Sequence, residues 1–153
     1  MIVVRAAHHT SFTVSDLDRS LGFYHGVLGL EILVVQSPDA PYLADIVGYA
    51  DLRLRQAFLQ LPGLSDHRLE LIQYLNNAGS AVDLSTNRVG SAHLCLVVDD
   101  IASAFTELRR QGVPFRSDAP VPITAGVNRG AFGAYFTDPD GISLELFQPA
   151  PRG

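Results

Sequence analysis

Polar and apolar residues alternate from Ala7 to Val14. His9, Ser11 and Thr13 share one face and Phe12 and Val14 the other, the period of a half-buried strand. The rhythm then changes. Leu17, Leu21, Tyr24 and Leu28 recur near helical spacing, Ser15 is placed to cap the helix, Asp16 and Asp18 suit its positive end, and Gly29 is placed to stop it. Strands are predicted over 31–35, 52–61 and 68–74. A similar order returns after a small, polar stretch at 76–90. A strand carries His93, Leu94, Leu96 and Val98. A helix follows, capped by Asp99 or Asp100, with Ile101, Ala104, Phe105 and Leu108 as its apolar stripe and Gly112 as its stop. Strands then fall near Phe115, over 131–137 and over 143–148, and Asp138-Pro139-Asp140-Gly141 joins the last two as a hairpin.

The chain thus reads as one unit written twice. His9 and His93, Val14 and Val98, Asp16 and Asp100, and Leu21 and Phe105 are separated by one common interval. Glu70 in Leu69-Glu70-Leu71-Ile72-Gln73 and Glu145 in Leu144-Glu145-Leu146-Phe147-Gln148 are separated by a shorter one. The first copy therefore holds extra residues before its last strand, within 36–49 or 62–67, both rich in loop signals. The expected fold is α+β: two tandem βαβββ modules, about 5–75 and about 91–149 with a linker at 76–90, in a single domain spanning 1–153. Their curved mixed sheets are expected to form a metal-binding cup.

Alternation sets the faces. Leu69, Leu71, Leu144 and Leu146 should pack under the helices, as should Phe12, Val14, Leu94, Leu96 and Val98. His9, Glu70, His93 and Glu145 are left on the opposite side, where two imidazoles and two carboxylates offer N and O donors to one divalent cation. Zn, Ni, Co, Mn and Fe(II) all suit that set, and two ionised glutamates neutralise the charge. Phe58, Gln60, Ile72, Tyr135 and Phe147 are candidates to line the pocket. Glu145 is the expected base, with Glu70 sharing the role on the opposite face of the substrate. Cys95 shares the face of His93, but small buried cysteines are common and it is read as structural. His8 is expected on the other face, and His25 and His67 in solvent. Arg5, Arg53, Arg55, Arg88 and Arg129 are candidates for an anionic substrate tail and otherwise solvated charges.

Composition narrows the class. The chain has 153 residues, 47% of them hydrophobic, which favours a packed globule over disorder. Its net charge of −5 gives no basic footprint for nucleic acid. No apolar run approaches the roughly 20 residues of a membrane span. The first residues are too short for a signal sequence, and the lone Cys95 cannot form an internal disulfide. A cytoplasmic location is the expectation.

The stretch from His9 through Phe23-Tyr24 to Leu28-Gly29-Leu30, with the ending Asp138-Pro139-Asp140-Gly141-Ile142-Ser143-Leu144-Glu145, resembles the vicinal oxygen chelate superfamily, which includes glyoxalase I, bleomycin resistance proteins, methylmalonyl-CoA epimerase and extradiol dioxygenases. The resemblance spans nearly the whole chain. It implies that the first and last strand of each module supply the metal ligands, here His9, Glu70, His93 and Glu145, a set similar to that of bacterial glyoxalase I. It also implies a homodimer and a small-molecule substrate. Methylmalonyl-CoA epimerases usually carry Gln where this chain has Glu70. Two departures stand against a glutathione adduct: Gly90-Ser91-Ala92 before His93, and a longer loop before Glu70. The expected activity is a divalent-metal-dependent lyase or isomerase resembling glyoxalase I, transferring a proton next to a chelated carbonyl on a small oxygenated substrate or thiol adduct. One alternative is an Fe(II) extradiol ring-cleavage dioxygenase, whose signature Tyr135 to Glu145 partly matches, although no histidine follows His93. The other is a drug-binding protein of the bleomycin resistance kind, without catalysis.

Overall fold

The computed structural model describes residues 1–63 and 67–151. The chain divides into two compact units, Met1–Ala81 and Val82–Gly153. In the first, β1 (His9–Thr13) is followed by α1 (Leu17–Leu21), which runs on into a π-helical stretch (Gly22–Val27), and then by β2 (Ile32–Gln36), α2 (Tyr42–Val47), β3 (Leu54–Gln60) and β4 (Arg68–Tyr74). In the second, β5 (His93–Val97), α3 (Ile101–Arg110), β6 (Val121–Pro122), β7 (Phe132–Thr137) and β8 (Ser143–Gln148) repeat the order. Each unit builds a four-stranded mixed sheet, β1-β4-β3-β2 and β5-β8-β7-β6, in which the first strand lies parallel to the last and the others pair antiparallel. The architecture is the expected α+β fold of two βαβββ modules.

The Leu-Glu-Leu-x-Gln sequences explain much of this geometry. Leu69, Leu71 and Leu144 are fully buried and Leu146 nearly so. They pack with Leu17, Tyr24, Ala57 and Leu59 in the first unit, and with Ile101, Phe105, Leu108, Ala134 and Phe136 in the second. The glutamine ending each sequence reaches the start of its helix. Gln73 accepts from the backbone N–H of Leu17 at 3.3 Å and donates to the Ser15 carbonyl, and Gln148 accepts from Ile101 at 2.9 Å. An aspartate completes each N-terminus: Asp16 accepts from Arg19 N–H and Asp100 from Ser103 N–H, satisfying donors that the first turn leaves open. The cap is thus Asp16 and not Ser15, whose hydroxyl instead accepts from the Arg19 side chain. Gly29 and Gly112 stop the helices at φ of 74° and 82°, where a Cβ would be strained.

Three further details depart from expectation. The 36–49 segment, expected as loop, contains α2, a short helix with no buried residue and so no amphipathic stripe to betray it. Residues 64–66 of the other candidate insertion lie outside the described residues. The strand expected near Phe115 is a single bridge to Phe136, and the sheet's fourth strand is the two-residue β6. Pro114, Pro120 and Pro122 leave this stretch too few N–H donors for a longer ladder. Phe115 nevertheless packs inward, its ring 4.1 Å from Phe105 and 5.4 Å from Phe136.

The hairpin between β7 and β8 is held by Asp138, only 4% exposed, whose carboxylate accepts from the N–H groups of Asp140 and Ile142 at 2.9 and 2.8 Å. That turn fixes the register in which Tyr135 faces Glu145.

Two substitutions test this account by urea unfolding. Leu144→Ala removes a fully buried side chain and should cost about 2–5 kcal/mol. Ser20 is fully buried with no partner for its hydroxyl among the described residues, so Ser20→Ala should raise stability by about 1 kcal/mol. A loss of stability in the second variant would show that the hydroxyl is satisfied.

Candidate functional site

Parallel pairing sets Ser11 beside Glu70 and Cys95 beside Glu145, and places each histidine two residues earlier on the same face. The consequence is the same in both units. His9 Nε2 lies 3.4 Å from Glu70 Oε2, and His93 Nε2 lies 3.3 Å from Glu145 Oε2. Both separations exceed those of a good N–H···O hydrogen bond. They match the roughly 3.0–3.4 Å between neighbouring ligands that each stand about 2.1 Å from one ion. Donor types and spacing therefore fit two ligands of a divalent cation in each unit. Among the described residues no group of three or more His, Cys, Asp or Glu side chains is assembled. Glu70 is 8% exposed and Glu145 part-buried, so both carboxylates are held out of bulk water, whereas the two histidines remain open to solvent.

The surroundings of the pairs differ. Beside Glu70 stand Phe58, its register partner on β3, and, across from Ile72, Gln56. The Phe58 ring meets His9 edge-on at 6.1 Å. The equivalent neighbours of Glu145 are Tyr135 and Gly133. The Tyr135 hydroxyl shares a hydrogen bond with His93 Nε2 at 3.1 Å, on the nitrogen that also faces Glu145. An occupant taking the lone pair of that nitrogen would release the tyrosine hydroxyl. A Cβ at position 133 would stand 3.1 Å from Glu145 Oε1, so glycine there gives the carboxylate its place. Partial desolvation on the sheet, followed by the nearby Glu145 charge and a hydrogen bond to it, pushes the Cys95 thiol up to about 11, although the residue as a whole is exposed. Desolvation first, and then the Glu145 charge, also raise the Tyr135 phenol.

A cavity of about 500 Å³ opens on this face of the second unit, lined by Thr86, Arg116, Ser117, Val121, Ile123, Gly133, Ala134, Tyr135 and Glu145. Tyr135, one of the residues expected to line the pocket, lines this cavity. Phe147 lies on the same sheet face, and Phe58, Gln60 and Ile72 lie on the Glu70 face of the first unit, with Gln60 opposite Arg68. Arg116 was not among the expected cations. Its signal is the bridge and inward packing of Phe115, since alternation then turns the next residue to the ligand face. The arginines named from sequence include Arg55, held by Asp18 at 2.9 and 2.8 Å, and Arg88, held by Asp83 at 2.7 Å.

The remaining histidines are engaged locally. His8 precedes β1 and does not turn away: its Nδ1 lies 2.8 Å from that of His9, giving a candidate ligand an orienting neighbour. His67, expected in solvent, sits against the start of β1, its nitrogens 2.9 Å from Thr10 Oγ1 and 3.1 Å from the Ala7 carbonyl. His25 is exposed and bonds the Leu30 carbonyl at 2.8 Å.

Comparison with known proteins gives the family and the fold. The chain is 33% identical over 147 residues to a 2-epi-5-epi-valiolone epimerase of Actinomyces, covering 92% of this chain and 78% of the relative. It is 30% identical over 146 residues to a lactoylglutathione lyase of Salmonella typhimurium, covering 95% and 93%. Among solved structures, a glyoxalase family protein from Bacillus cereus superposes with a TM-score of 0.81 over 99% of this chain and 97% of that one, at 18% identity, and so shares its fold. No helix among the described residues is long and apolar enough to cross a membrane. A family model matches residues 6–146, and the chain belongs to the Glyoxalase/Bleomycin resistance protein/Dioxygenase superfamily.

Proposed function

We infer that this protein is a divalent-metal-dependent lyase or isomerase that moves a proton next to a carbonyl of a small oxygenated substrate. The observation that carries the reading is the repetition of one His–Glu pair in both units, at 3.4 and 3.3 Å, on the sheet face away from the helix. His9, Glu70, His93 and Glu145 together would hold one ion, either within one chain or between two chains of a homodimer. When bound, such an ion supplies Lewis-acid polarisation of the substrate carbonyl.

The chain's own residues divide the remaining work. Glu145 lines the cavity and is the base that takes the proton from carbon. Glu70, more deeply buried and beside Phe58, serves chiefly as a ligand and shares proton transfer only for a substrate presented from its side. Tyr135 holds His93 until that nitrogen is used, and its hydroxyl is then free for a substrate oxygen. Cys95, its thiol pushed up by partial burial and the Glu145 charge, is given no part in the reaction. A lyase and an epimerase can both work by moving a proton at carbon, so the names of the two relatives support this step and leave the substrate open.

Metal analysis by inductively coupled plasma mass spectrometry, on protein purified without chelator, should find about one divalent ion per chain, as four N and O donors can hold. The His9→Ala, Glu145→Ala double variant should lose it. A wild-type chain that carries no ion and takes up none of Ni, Zn, Co, Mn or Fe(II) removes the reading. A single Glu145→Gln change should lower the rate of lactoylglutathione formation, or of solvent-deuterium incorporation into a 2-oxo compound, by about 100- to 10,000-fold, the usual worth of a positioned base. An unchanged rate assigns the proton transfer elsewhere.

A further inference from the structure

The two units are not equivalent on their ligand faces, and the differences fall in one place. Phe115 bridges Phe136 as Ile32 bridges Leu59, so Arg116 follows the bridge where the first unit has Leu33, the bulged residue before Val34 pairs with Phe58. By the same registers Tyr135 replaces Phe58, and Gly133 replaces Gln56. The second unit thus has a cation, a hydroxyl and free space where the first has two apolar side chains and an amide. All three replacements line the 500 Å³ cavity beside Glu145. That volume falls within the range of small-molecule sites.

Arg116 also differs from the chain's paired arginines. Arg55, Arg88 and Arg110 each meet a carboxylate at 2.7–2.8 Å. Arg116 has no such partner among the described residues. Its guanidinium makes only a 3.4 Å approach to Ser143 Oγ, while its backbone N–H donates to the Tyr135 carbonyl at 2.9 Å and anchors it beside β7. The Ser117 hydroxyl donates to the Ala119 carbonyl, so the side-chain donors of the lining that remain for a ligand, besides the Tyr135 hydroxyl, are the Arg116 fork and the Thr86 hydroxyl. Val121 and Ile123 supply apolar wall to the same cavity. A planar fork with spare donors matches the two oxygens of a carboxylate or phosphate. A protein of net charge −5 otherwise offers little attraction to an anion.

We propose that Arg116 and Thr86 form an anion subsite, and that the substrate is a small organic acid whose carboxylate or phosphate seats there while its reactive carbon faces Glu145. Naming the substrate class rests on the reaction proposed above. The subsite itself is testable without a metal.

Metal-free, isotope-labelled protein would be titrated with succinate, inorganic phosphate and succinamide, following the Arg116 Nε–Hε signal and the Ser117 and Tyr135 amides by NMR. Succinate or phosphate should shift these signals saturably in the millimolar range, and succinamide, neutral and similar in shape, should not. Whichever anion binds tighter identifies the headgroup. Arg116→Gln should weaken binding by about tenfold or more, the worth of a charged hydrogen bond, and Arg116→Lys should restore part of it. Arg110→Gln on the outer face of α3 should change nothing. Signal dispersion checks the fold of each variant. Absence of a saturable response, an equal response to succinamide, or undiminished binding in Arg116→Gln overturns the proposal. Failure of the metal reading appears separately, as a wild-type chain without ion, and leaves the anion result standing.

Discussion

Parallel pairing of the first strand with the last is the constraint from which the rest of each unit follows. Two neighbouring parallel strands present residues in register on one face, while the helix that follows the first strand covers the other. Once Leu69, Leu71, Leu144 and Leu146 are committed to the helix side, Glu70 and Glu145 have only one direction left. The first strand then brings its histidine beside them. Gln73 and Gln148 tie this last strand to the helix that follows the first, so the ligand strand and the helix N-terminus cannot move independently. The His–Glu pair is therefore a product of topology, and its two copies agree to 0.1 Å in their closest donor distances.

This dependence explains which features were legible in the sequence. Strands 68–74 and 143–148 were read to the residue, because Leu-Glu-Leu alternation admits only one register and Asp138 to Gly141 is a strong turn signal. The helix stops at Gly29 and Gly112 were legible for the same local reason. What stayed hidden depends on contacts distant in sequence or on elements too short to have a period. The exposed α2 buries nothing, β6 spans two residues, and the choice of Asp16 over Ser15 as cap turns on which oxygen meets the Arg19 amide. Arg116 looks like one more surface arginine until Phe115 is seen wedged between Phe105 and Phe136. His67 resembles a solvated loop residue until β1 is laid beside it.

Duplication also separates structure from chemistry. Features kept in both units, the leucines, the capping aspartates, the glutamines and the His–Glu pairs, are those that either hold the fold or supply donors. Features that differ, Leu33 against Arg116, Phe58 against Tyr135 and Gln56 against Gly133, surround the pairs without building the sheet. The second unit carries the cation, the phenol and the open space, and the first has an aromatic side chain beside a more buried carboxylate.

That division bears on how two chemically identical carboxylates can do different work. A buried glutamate with one imidazole for company is costly as an anion, and a nearby cation offsets the cost only where it can be approached closely. Glu70, 8% exposed and beside Phe58, would lose that compensation on leaving such a partner. Glu145 has the missing Cβ of Gly133 on one side, the Tyr135 hydroxyl near its histidine on another, and the cavity in front. It can turn toward a substrate and still find polar neighbours. On the proposed function, proton transfer belongs to the carboxylate whose surroundings tolerate both of its positions, and the asymmetry between the units is what would free that base.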